Sequence, residues 1–344
     1  MKYTVTAVQL ALRSSFVAGQ GFDPARFAAN FDHTEALLRR LAGETGSQLY
    51  LLPEFSFQGW AMGVPLEHWN AAAVRIPGPE TDRIGRLARE LGAYVAGTLF
   101  ESIPEFPGRH FLTGFVIAPS GELVLRYRKL YAFSAKTRPG DVYERWIGLF
   151  GRESLFPVVD TPLGRLGMMI AWDAQFPEVA RALALRGADV ILHPLGSGRV
   201  AADHGAGFTH LREVRAHENV CYLVSANMGP LDSAGPEMQG RWPSQVIDPE
   251  GRVLAATTVD GESHATATID LELLRAQRNK PVRNWLAQLQ SQLHAPDYAA
   301  AQLWPLSHWE QKPLVDAREQ LELEAQIVRT LAAGPAIRDE PTRR

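Results

Sequence analysis

The stretch Met169-Ile170-Ala171-Trp172-Asp173-Ala174-Gln175-Phe176-Pro177-Glu178 decides how this chain is read. An apolar run over residues 164–171 gives way to aromatics, a carboxylate and a proline suited to a helix's first turn, so a strand ends at Ala171 and a helix follows over 176–186. Two earlier segments make the same transition. Leu51-Leu52-Pro53-Glu54-Phe55 closes a short apolar run with a proline that cannot donate to a ladder, which leaves Glu54 at a strand's C-terminal edge. Tyr127-Arg128-Lys129-Leu130 ends another strand on a lysine, in a chain with five lysines against thirty arginines. C-terminal strand edges are where α/β sheets gather their sites.

Strands and helices alternate around these segments. Apolar patterning predicts strands over 3–10, 49–52 and 94–100 with helices over 24–43 and 79–91, then a hairpin of 111–118 and 122–127 turned by Pro119-Ser120-Gly121. After residue 129 a long, aromatic-rich and irregular stretch reaches 157, read as a lid or pocket wall. Strands over 164–171, 188–193 and 220–226 alternate with helices over 176–186 and 207–218. Strands over 242–247, 253–258 and 264–269 follow, separated by turn residues at 248–251 and 260–261. The pattern is that of one α/β layered domain over 1–270. Beyond it, residues 271–344 form an extension with Trp285, Trp304, Trp309 and a helix over 316–333, expected to dock on the core or on a second subunit.

Composition removes several function classes. With 46% hydrophobic and 21% charged residues, and no apolar run near the roughly 18 residues that span a bilayer, the chain buries a large core and needs no membrane. A net charge of −3 gives no footprint for nucleic acid. The single cysteine, Cys221, excludes an internal disulfide framework and fits the cytoplasm. It lies in an apolar strand, as a small hydrophobe rather than a nucleophile. The histidines show no metal spacing: His210 and His217 are seven apart, too far to share an ion across one helical turn. Neither Gly196-Ser197-Gly198 nor Gly205-Ala206-Gly207 completes a serine-hydrolase elbow or a dinucleotide fingerprint, so no cofactor and no metal are expected.

Taken in order, the Glu54, Lys129 and Ala171 segments resemble those of the nitrilase, or carbon–nitrogen hydrolase, superfamily. The likeness runs over about residues 3–270, with support from residues 8–9, 97–101, 188–194, 215–219, 225–227 and 244–251. It implies a four-layer α-β-β-α sandwich and a glutamate, lysine and cysteine triad. Glu54 and Lys129 match the first two members, and Ala171 stands where the cysteine belongs. In such a site a thiolate attacks an amide or nitrile carbon, the glutamate moves protons, and the lysine with the backbone N–H of Trp172 stabilises the oxyanion. A methyl group cannot form the thioester, so the resemblance implies a chain that binds and polarises without covalent turnover. Both an engineered replacement and a natural pseudoenzyme account for Ala171.

The resemblance further implies that Glu144 is the second glutamate behind the lysine, and that Trp172, Asp173, His193 and Gly196 lie at the substrate. Trp60, Tyr131, Phe133 and Trp146 suit an apolar pocket wall, and plain core packing is the other role open to each. Asp173 and Phe176-Pro177-Glu178 look more like amidases and carbamoylases than nitrilases, which points to a linear amide or N-carbamoyl compound as the partner molecule. A nitrile substrate, a silent binding protein and an acyltransferase are the alternatives. The family's habit of association implies a homodimer or a larger homo-oligomer.

Overall fold

The computed structural model describes the chain except residues 62, 133–135, 197–209, 233–241, 259–260, 302, 335 and 337–344. Its first half runs β1 (Lys2–Gln9), a small ribbon of β2 (Phe16–Val17) and β3 (Gly21–Phe22), α1 (Pro24–Thr45), β4 (Leu49–Leu51), α2 (Leu66–Ala72), α3 (Pro79–Leu91), β5 (Tyr94–Glu101), β6 (Phe111–Ile117) and β7 (Leu123–Arg128). The second half runs α4 (Tyr143–Phe150), β8 (Val158–Thr161), β9 (Gly164–Met168), α5 (Pro177–Leu185), β10 (Val190–Leu195), α6 (Leu211–Asn219), β11 (Tyr222–Asn227), β12 (Gln245–Ile247), β13 (Val253–Ala256) and β14 (Ser263–Asp270). The extension carries α7 (Leu271–Arg278), α8 (Ser291–Ala300) and α9 (Ala317–Ala332).

Two six-stranded sheets result, ordered β14-β1-β4-β5-β6-β7 and β13-β12-β11-β10-β9-β8. Each has a parallel centre. β4 lies parallel to β1 and β5, and β10 lies parallel to β9 and β11. Central strands covered on both faces need continuous apolar runs, and every residue of β4 and β10 is buried. The sheets stack on a shared core that takes Val5, Leu51 and Phe115 from one and Leu192, Val224 and Val246 from the other. A Cβ at Gly114 on β6 would collide with Met168 Sδ of β9, so glycine there permits the close approach of the two sheets.

Helices close the outer faces. α1 starts where the Asp23 side chain accepts from the Ala25 and Arg26 amides, stops at left-handed Gly46, and buries Phe31, Leu37, Leu38 and Leu41. On the other side, Val179 and Leu183 of α5 and Ala216 of α6 pack on Ile191 and Leu223 in a second apolar cluster. The architecture is a four-layer α-β-β-α sandwich.

The stretch after residue 129 differs from the irregular loop expected. It holds a 3-10 turn at Pro139–Val142, then α4, then another turn at Arg152–Leu155. Val142, Trp146 and Leu155 bury themselves against Ile103, Phe106 and Phe111 as a satellite core. An eight-residue helix rich in aromatics shows too few turns for its period to stand out. The extension folds back on the same region of its own chain. Arg109 Nη2 donates to the carbonyls of Trp309 (2.6 Å) and Glu310 (2.8 Å), and the Arg138 guanidinium lies 5.1 Å from the Trp304 ring centroid and 5.3 Å from that of Trp309. No described helix is long and apolar enough to cross a membrane.

Candidate active site

Side chains alternate along β7 and its continuation, and that alternation sorts three neighbours into two jobs. Arg128 turns outward into a bidentate pair with Glu101, 2.7 Å at each contact, beneath which the Trp146 ring packs. Tyr127 and Lys129 turn the other way. The Tyr127 hydroxyl donates to Asp173 Oδ2 at 2.8 Å, and Lys129 Nζ donates to Glu54 Oε1 at 2.7 Å. Glu54 and Lys129 are 2% and 6% exposed, so the pair is desolvated and removing either partner strands a buried charge, at a cost of about 3–5 kcal/mol. Pro53, directly before the acid, cannot extend the ladder of β4, and the Phe55 amide anchors the turn by donating to Thr98 Oγ1 at 3.1 Å.

Ala171 is buried and begins the 3-10 turn Ala171–Gln175 with a φ of 44°, left-handed backbone that a Cβ-bearing residue enters at a cost of roughly 1–2 kcal/mol. Two devices hold this turn. Asp173 Oδ2 accepts from the Ile170 amide (2.8 Å) as well as Tyr127, while its Oδ1 accepts from the amides of Leu130 (3.2 Å) and Tyr131 (2.8 Å). The carboxyl thereby clamps position 171 to the segment carrying Lys129. Burial raises its pKa to about 6, against the opposing pull of Lys129 and of its donors.

His193 on β10 is the second device. Its Nε2 lies 3.2 Å from the Ala171 carbonyl oxygen, which can only accept, so Nε2 carries the proton and Nδ1 accepts from Ser225 Oγ at 3.0 Å. Burial is the main force holding this imidazole neutral, with its pKa lowered to about 3. Asp173 and His193 were expected to touch substrate. In the structure they are 0% and 2% exposed, and their polar atoms are engaged with the protein itself.

Gly196 closes the arrangement from above β10. A Cβ there would sit 2.9 Å from Glu54 Oε2 and 2.8 Å from carbons of the Phe55 ring, so glycine leaves the acid its place. Lys136 joins unforeseen. It is 5% exposed, with Nζ 4.9 Å from the centroid of the Phe55 ring and 5.9 Å from that of Phe100. Burial, then the neighbouring charge of Lys129, lower its pKa to about 7, with Glu54 opposing. Its rarity as one of five lysines was the available signal.

The remaining expected residues do not converge on the pair. Glu144 is exposed on α4 and has its backbone amide on Ser307 Oγ of the extension, which leaves the second-glutamate role without a contact. Trp146 is fully buried in the satellite core with its Nε1 donating to Ser154 Oγ. Trp60 is half-buried against the main core. Tyr131 and Trp172 do line a cavity, of about 330 Å³, but Glu54, Lys129 and Ala171 do not. Phe133, His204 and residues 205–207 lie outside the described residues. Cys221 is buried in the second apolar cluster with its thiol pushed up to about 12, chiefly by burial. Among the described residues no group of three His, Cys, Asp or Glu side chains is placed to hold a metal.

Two stacked mixed sheets between helix layers, with a buried acid after β4 meeting a buried ammonium after β7, define the class. The family model described as carbon-nitrogen hydrolase matches residues 4–279, and the chain belongs to that family. It is similar to an omega-amidase of Bos taurus, 30% identical over 244 residues that cover 71% of this chain and 84% of that relative. A bifunctional nitrilase/nitrile hydratase of Nicotiana tabacum is 27% identical, over 72% of this chain and 76% of its own. Among solved structures, the carbon-nitrogen hydrolase from Helicobacter pylori G27 shares the fold with a TM-score of 0.68 at 19% identity, over 87% and 99% of the two chains. A cysteine-to-alanine mutant of the amidase from Nesterenkonia sp. AN1, in complex with butyramide, superposes with a TM-score of 0.58 at 24% identity, over 82% and 97%.

Proposed function

We propose that this chain binds a linear amide or N-carbamoyl compound at Glu54 and Lys129, and that the residue at position 171 decides whether the bound molecule is turned over. The observation that carries the reading is the buried 2.7 Å contact between Lys129 Nζ and Glu54 Oε1, tied through Asp173 to the strained turn at Ala171. With cysteine at 171, Glu54 takes the thiol proton and sulfur bonds to the carbonyl carbon, while the oxyanion is stabilised by the Lys129 ammonium. The C–N bond then breaks as that proton passes to nitrogen, releasing ammonia. Water, deprotonated by Glu54, cleaves the thioester and restores the thiol. With Ala171 the carbonyl is held and polarised, and no thioester forms.

The amidase relative and the alanine mutant holding butyramide support the amide reading. Titrating the chain with butyramide in a calorimeter should show saturable binding. Ala171→Cys should release ammonia from at least one member of a panel of amides, N-carbamoyl amino acids and nitriles. A folded A171C protein that turns over none of them would establish the silent binding reading. Conversion of nitriles alone would move the chain to the nitrilase branch, as the tobacco relative allows. The proposal extends to a homo-oligomer formed through α5 and α6, whose Leu185 and Val214 are 58% and 47% exposed, and to the cytoplasm, on the strength of the buried thiol. Scattering that returns the mass of one chain would remove the oligomer.

A further inference from the structure

The cavity lined by Tyr131 and Trp172 has two owners. The core supplies Tyr131, Phe156 and Trp172, and the extension closes the other side with Trp304, Gln320 and Glu324. At about 330 Å³ it falls within the size range of small-molecule sites, and six of the fifteen residues in its wall are aromatic. Its polar groups are unevenly matched. Arg138 is buried and already satisfied by Asp141, with Nη2 to Oδ1 at 2.8 Å and Nε to both oxygens at 3.1 Å. Gln320 is 4% exposed and donates through Nε2 to the Ala132 carbonyl and to Glu324 Oε1, yet its Oε1 meets no described donor. Among the described residues the Glu324 carboxylate meets that one donor, at 2.8 Å.

A lining with a carboxylate and several aromatic faces suits a donor that carries positive charge. Carboxylate and π faces both attract an ammonium, and both gain where water is partly excluded. We propose that this cavity is a second binding site, for a small primary amine with an apolar or aromatic body, whose ammonium is held by Glu324 among the aromatic faces. Trp172 is shared between the cavity wall and the turn that starts at Ala171, so an occupant touches the residue next to position 171.

Benzylamine tests it, with benzyl alcohol as the neutral probe of the same shape, by calorimetry and tryptophan fluorescence on the full chain. Benzylamine should bind one per chain and benzyl alcohol about tenfold more weakly, the loss expected when a charge-assisted hydrogen bond becomes neutral. Glu324→Gln should weaken benzylamine by about tenfold and leave benzyl alcohol unchanged. Leu306→Trp, which adds volume at a half-exposed lining position, should abolish both. Glu54→Gln should leave benzylamine binding intact while weakening butyramide, which separates this site from the amide site. Equal affinity for amine and alcohol, indifference to E324Q, or loss of benzylamine in E54Q would each overturn the assignment.

Discussion

Ala171 keeps a left-handed backbone without a side chain that uses it, and such strain persists where the surroundings over-determine it. The surroundings here are the Asp173 clamp and the His193 hydrogen bond. In an A171C protein, Glu54→Gln and Lys129→Met should each lower kcat/KM by at least about 10²-fold, the usual scale of a lost proton carrier or oxyanion donor, with circular dichroism unchanged. Lys136 offers a test that needs no turnover. Its folded pKa, about 7, lies below the ordinary 10.5, so between those limits the folded chain releases a proton that the unfolded chain keeps. This group's contribution to stability is therefore full above pH 10.5 and is lost as pH falls through 7. Lys136→Met should raise Tm relative to the parent by a few °C, on the order expected for 1–2 kcal/mol, at pH 6. The gain should vanish toward pH 10.5; a gain that grows with pH would place the ammonium in a favourable site.

Elements set how much of this was legible. β1, β5, α3 and the helix after Pro177 follow from periodicity and caps, because apolar spacing and proline at the first turn act locally. Glu54 and Lys129 were legible as strand-end residues for the same reason. Trp146, Glu144 and the short strand β8 were not: whether an aromatic faces a pocket or a satellite core depends on Phe106 and Phe111, some 35–40 positions away in the chain. Asp173 and His193 were legible as residues of this region, but their hydrogen bonds to the turn at Ala171 were not, since type and position do not show that a carboxylate's lone pairs are already used. Asp173→Asn replaces acceptors with an amide donor facing backbone N–H groups, so it should destabilise the fold by about 2–4 kcal/mol in chemical denaturation. A shift below 0.5 kcal/mol would mean the clamp is dispensable. Gly196→Ala acts from β10 instead. Its methyl meets Phe55 and Glu54 at 2.8 and 2.9 Å, so butyramide affinity should fall by about tenfold or more, read by calorimetry.

Across the whole molecule, the extension is joined to the core by contacts that use neither the Glu54 nor the Lys129 side chain. Trp309 and Leu314 are 5% and 1% exposed, and Arg109, a mostly buried guanidinium whose pKa burial lowers, depends on two carbonyls that only the extension provides. Both sheets end by Asp270, and α7 follows directly, with the Asp270 side chain accepting from the amides of Glu272 and Leu273. The sandwich therefore has its strands, its two helix layers and its buried pair without residues 291–344. Cutting the chain after residue 290 should leave a cooperatively folded protein that binds butyramide within about threefold of the full chain, a difference under 1 kcal/mol. It should melt lower by roughly 5 °C or more, because the satellite core loses the tryptophans that cover Arg138. Benzylamine binding should disappear with the wall that holds Glu324. If butyramide binding disappears as well, the extension completes the amide site itself, and the separation between the two sites drawn from the cavity's lining is wrong.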